Sequence, residues 1–176
     1  MLLFVGTKWN ISPSIVAGWT TLWFDPTETA DGLMVLYRFV LPGDTASIQL
    51  STQQTGWVGC LFELSGVGAG NIISVQKGAD YAGGSTPVGA SSGFPDDGTL
   101  MVGMALAEGA AAQPAVTLTG ATPGQTAWAT GSANGGNRFV TSFTAGPLPR
   151  GGTTIAAGFS PSATTIIGTV AISPVR

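Results

Sequence analysis

Apolar and polar residues alternate with period two along much of this chain, the spacing that sends successive side chains to opposite faces of a β-strand. From Trp57 to Ser65, Val58, Cys60, Phe62 and Leu64 share one face, and Trp57, Gly59, Leu61, Glu63 and Ser65 share the other. Asp44 to Thr52 repeats the pattern with Ala46, Ile48 and Leu50 inward and hydroxyls and Gln49 outward. Arg138 to Ala145 places Phe139 and Phe143 opposite Ser142 and Thr144, and the stretch around Ile166 to Ile172 alternates in the same way. These runs favour β-branched and aromatic residues and end at Gly, Pro and Asp, as strands do.

Three runs break the alternation by being apolar at every position: Leu2 to Val5, Leu33 to Val40 and Leu100 to Leu106. Such a run describes a strand covered on both sides, so a loop or a neighbouring subunit is expected over the second face. No stretch sustains a helical period. The best helix candidate, Leu106 to Ala112, contains Gly109 and runs into Pro114, and reads as a loop.

The chain also resembles itself. Each half opens on an apolar strand, Leu2–Gly6 and Leu100–Gly103, and each has a Leu-Pro turn, Leu41-Pro42 and Leu148-Pro149. Trp19 and Trp128 are 109 residues apart, as are Gly59 and Gly168. The pattern predicts an all-β protein: a single antiparallel β-sandwich over 1–176, jelly-roll-like, with about eight strands in two pseudo-repeated halves and little helix. The halves span approximately 1–67 and 99–176. The Gly-, Ser- and Pro-rich segment 68–98 between them is expected to be a long loop packed across the sandwich.

Composition narrows the chemistry. Of 176 residues, 9% are charged, against a usual share near ~25%. A helical bundle needs more charge than that to wet its outer faces, whereas a sheet protein can use Ser, Thr, Asn and Gln. The net charge is −3, with six cations scattered singly, which argues against nucleic acid as a partner. The chain contains no histidine, which removes the usual general base, Ser-His-Asp and Cys-His catalysis, and most zinc sites. One cysteine, Cys60, excludes an internal disulfide or a CxxC motif. Lys8 ends the first apolar run before it reaches the length of a signal-peptide core, and no run approaches the ~20 residues of a membrane helix. No membrane association, metal or cofactor is expected.

The acidic clusters are weak candidates. Asp25, Glu28 and Asp31 offer oxygen ligands without the spacing of a calcium loop. Asp96 and Asp97 offer half of a glycosidase carboxylate pair with no partner placed by the sequence. Pro95-Asp96-Asp97-Gly98 is also good turn chemistry ahead of a strand. Glu63 lies within a strongly patterned strand, where exposure or a bridge to Arg38 or Arg138 is the commoner role. Cys60 falls on the apolar face of its strand and reads as a small hydrophobe. No catalytic residue is assigned. Trp19, Trp57 and Trp128 read as core, leaving Trp9, Trp23, Tyr81 and Phe94 as candidate platforms for a ligand or partner, such as a saccharide.

Taken together, several short motifs resemble the β-sandwich modules of tailed-bacteriophage virion proteins, of the head-decoration, minor-tail and tail-fibre types. They are Leu2-Leu3-Phe4-Val5-Gly6, Ala17-Gly18-Trp19-Thr20, Leu36-Tyr37-Arg38-Phe39, the polar strand from Asp44 to Ser51, Phe62-Glu63-Leu64-Ser65-Gly66-Val67, the apolar strand Leu100 to Ala107, and the terminal Ala171 to Pro174. The resemblance implies a non-enzymatic structural protein located in the virion. Its partners would be major capsid or tail proteins and further copies of itself, with threefold assembly the expected symmetry. Modules of this kind usually carry one or two strands ahead of the first apolar strand. The resemblance therefore implies that the sheet lacks that edge or that another chain supplies it. A carbohydrate-binding adhesion module on a virion or cell surface is the alternative.

Overall fold

The computed structural model describes residues 1–7, 18–24, 32–40, 43, 57–80, 87–109, 112–129, 137–161 and 164–174. Among them are twelve strands and no α-helix: β1 (Leu2–Thr7), β2 (Thr20–Phe24), β3 (Gly32–Tyr37), β4 (Trp57–Phe62), β5 (Ile72–Asp80), β6 (Val88–Phe94), β7 (Thr99–Glu108), β8 (Ala115–Thr119), β9 (Thr122–Ala129), β10 (Arg138–Leu148), β11 (Gly151–Ser160) and β12 (Thr164–Ile172). They form three antiparallel sheets, in the orders β2-β3-β1-β4, β5-β12-β7-β10-β9 and β6-β11-β8. A short 3₁₀ turn at Ala69–Asn71 leads into β5. No helix among the described residues is long and apolar enough to cross a membrane.

The five-stranded sheet lies between the other two. One core cluster joins Leu2, Phe4, Leu33, Val35, Val58 and Cys60 of the four-stranded sheet to Val102, Met104, Leu106, Val140, Ile166, Val170 and Ile172 of the central one. A second cluster joins the opposite side of the central sheet, including Met101, Ala105, Phe139, Phe143 and Ile167, to Ala90, Phe94, Ile155, Ala157 and Phe159 of the three-stranded sheet. Odd and even positions of β7, β10 and β12 are therefore both internal. This explains the uninterrupted apolar run of β7, whose second cover is another sheet of the same chain.

Close packing within the central sheet and between layers demands missing side chains at particular points. A Cβ on Gly103 would collide with the Phe143 ring and the Gly168 carbonyl, and one on Gly168 would collide with Leu33 of the covering sheet. At these points glycine makes room for the bulk of its neighbours.

The outer two sheets differ in the faces turned away from the central sheet. In the four-stranded sheet Leu3, Val5, Met34 and Leu36 are buried on the side away from the central sheet, and neither core cluster includes them. Beyond β3 the chain becomes exposed, with Phe39 at 55% and Val40 at 46%, so that doubly apolar run ends at Tyr37 and not at Val40.

One strand order appears twice. The four-stranded sheet reads β2-β3-β1-β4, and four consecutive positions of the central sheet read β9-β10-β7-β12. Replacing β1 by β7, β2 by β9, β3 by β10 and β4 by β12 converts one into the other. The stacking agrees with that correspondence. Gly6 of β1 faces Leu106 of β7, Leu33 of β3 faces Gly168 of β12, and β4 lies over β10. This is the arrangement produced by a two-fold axis between β1 and β7.

Several sequence expectations need correction. There are three sheets and twelve described strands in place of about eight. Segment 68–98 is not a loop, since it contains β5 and β6. Its Gly and Ser residues are tolerated because β6 lies in a layer of small residues, where Gly78 and the Gly89 backbone meet too closely for any Cβ. Leu106 to Glu108 completes β7 and is not loop. The expected strand at Asp44 to Thr52 lies outside the described residues.

One buried ion pair sits at the end of the central sheet. Arg138 and Glu108 are opposed across β10 and β7, and the Arg138 Nη2 donates to Glu108 Oε1 at 2.8 Å with side chains 2% and 6% exposed. Desolvating two charges makes such a pair a poor source of net stability, but removing one partner strands the other in a dry environment. Arg138→Ala is therefore expected to lower the unfolding free energy by about 3–5 kcal/mol. Replacing both residues by leucine is expected to restore most of that loss. Urea denaturation of the three proteins tests both. Thr169, fully buried on β12, has a hydroxyl with no hydrogen-bond partner. Thr169→Val should raise the midpoint by an amount equivalent to about 1 kcal/mol.

Candidate functional site

Reactive side chains are sparse in the described structure, and those present are held in structural roles. Cys60 points from β4 into the interior, and burial pushes its thiol from the ordinary 9.0 up to about 12. The nucleophilic thiolate is thus suppressed at neutral pH. Asp96 and Asp97 build the turn from β6 to β7. The Asp96 carbonyl accepts a bond from the Thr99 hydroxyl at 3.0 Å, the Asp97 Oδ1 accepts one from the Arg150 amide at 2.6 Å, and Gly98 takes a φ of 85°. Glu63 lies exposed just beyond β4, and the buried partner of Arg138 is Glu108. Asp25, Glu28 and Asp31 lie outside the described residues. Among the described residues no three His, Cys, Asp or Glu side chains group as metal ligands.

Of the four candidate platforms, the two among the described residues, Trp23 and Phe94, pack against different core clusters. Trp23 is half-buried on β2 and packs against the core shared with the central sheet. Phe94 is 5% exposed and sits inside the other core cluster, so its ring faces the interior and not a ligand. Its place on β6 follows from period two: Ala90, Ser92 and Phe94 point inward and Gly89, Ser91 and Gly93 outward. Trp9 and Tyr81 lie outside the described residues. Trp128 packs from β9 against the core, consistent with its reading as a core residue.

What the strands do build is a flat, uncharged outer face on the three-stranded sheet. Ile155, Ala157 and Phe159 of β11 and Val116 and Leu118 of β8 turn inward. The opposite face therefore consists of Gly89, Ser91 and Gly93 of β6, Gly152, Thr154, Ala156 and Gly158 of β11, and Ala115, Thr117 and Thr119 of β8. No residue on this face is larger than threonine and none is charged. The Ser91 and Thr154 hydroxyls share a hydrogen bond of 2.6 Å across the β6–β11 pair. They line an open depression of about 590 Å³ with Ser92, Gly93, Gly152 and Thr153. Sequence reasoning missed this face because it assigned β6 to a loop. The small-residue alternation of Gly89-Ala90-Ser91-Ser92-Gly93-Phe94 was the available signal.

Chemically, such a face offers hydroxyls, backbone and a flat contour. It has no acid, base or stacking ring to work on a small substrate. It suits contact with another protein surface, where short side chains lose little rotamer freedom on burial. Compared with known proteins, the chain matches no family model, no curated protein and no solved structure.

The raised thiol gives a pH test. A thiol whose folded pKa exceeds its unfolded value stabilises the fold below about pH 9, and that contribution fades as pH rises from about 9 toward about 12. Cys60→Ala should therefore flatten the alkaline fall in stability, measured by thermal unfolding between pH 8 and 11. In the native wild type, a disulfide reagent at pH 8 should label Cys60 at least ~100-fold more slowly than in urea.

Proposed function

We propose that this chain is a non-enzymatic structural subunit of a tailed-phage particle, a capsid decoration or tail-appendage protein that works through protein–protein contacts. The observation that carries the reading is the uncharged Ser/Thr/Gly/Ala face of the three-stranded sheet, backed by a body with internal sheets and no assembled reactive group among its described residues. The motif resemblance supplies the particle, and the jelly-roll-like two-half sandwich is the fold that comes with it. On this reading the subunit reinforces a shell or fixes an appendage by burying surface against capsid or tail proteins and against its own copies. Area removed from water contributes about 25 cal/mol per Å² before the cost of association.

The face also gives the test. Particles assembled in the presence of tagged protein should retain it at fixed stoichiometry through a density gradient. Thr117→Arg with Thr154→Arg, both at exposed positions, should reduce retention by more than ~10-fold while leaving the melting temperature within a degree or two. Tagged wild-type protein recovered only in the soluble fraction would overturn the proposal.

A further inference from the structure

We draw no further inference here: the strongest candidate, the apolar outer face of the four-stranded sheet at Leu3, Val5, Met34 and Leu36, carries none because nothing among the described residues shows what covers it.

Discussion

Burial of one sheet on both faces is the constraint on which the rest of this structure depends. A strand in such a sheet has no wet side, so β7 and β12 are apolar at odd and even positions alike. Sheets stack about 10 Å apart, so bulk entering from a covering layer must find a gap in the central one. Leu33 finds it at Gly168, and within the central sheet itself Gly103 leaves room for the ring of its cross-strand neighbour Phe143. The polar groups that remain inside are Arg138 and Glu108 where the ladder ends, threonines whose branched carbon packs like valine, and Ser92 and Ser142, whose hydroxyls are bonded to the Ser74 hydroxyl and the Gln125 backbone. A charged pair at the rim of the dry layer fixes which β7 residue opposes which β10 residue, because any slip separates the charges.

The same constraint decides what could be read from the residues. Where one face is wet, the alternation is explicit: Val58 and Cys60 face inward and Leu61 and Glu63 outward, as the pattern from Trp57 to Ser65 requires. Where both faces are dry, the run announces burial but not the identity of the cover. That is why β7 was legible as a doubly covered strand and the three-layer stack was not. Segment 68–98 misled for a related reason. Glycine and serine in sequence mean breaks, but in a layer where Gly78 crosses Gly89 they are what permits strands to approach. The Arg138–Glu108 pair joins residues 30 apart through sheet register, and nothing local marks it. Phe94 is presentable to a ligand only if its segment is a loop. Once it is a strand, period two sends it into the core.

Duplication adds a second layer of meaning to the topology. β4 and β12 hold the same place in the same strand order, although the registers match Gly168 with Cys60 and not with Gly59, which lies on the opposite face. Two such sheets facing each other about an axis bury equivalent residues in one shared interior: Leu2 and Phe4 with Val102 and Met104, and Val58 with Ile166. Equivalent interiors do not guarantee equivalent edges. The central sheet extends past β12 to β5, and it receives the small-residue sheet on its far side. Among the described residues the four-stranded sheet differs at both places, so the asymmetry seen between the halves lies at edges and outer faces.

That concentration bears on function more directly than any single residue does. With β7, β10 and β12 enclosed, the surface among the described residues is that of the outer sheets, the exposed edge strand β9 and the strand ends. Long charged side chains on such surfaces would each cost up to about 2 kcal/mol of rotamer freedom when immobilised. Gly, Ala, Ser and Thr cost far less, and their hydroxyls accept partners from either direction. A surface built from them is poor at holding a small ligand, which needs concavity and converging polar groups. It is well suited to lie against a second flat surface, where modest attraction per unit area is repeated across many contacts. The scarcity of charge along the whole chain fits such a surface, which Ser and Thr hydroxyls can wet without charged side chains.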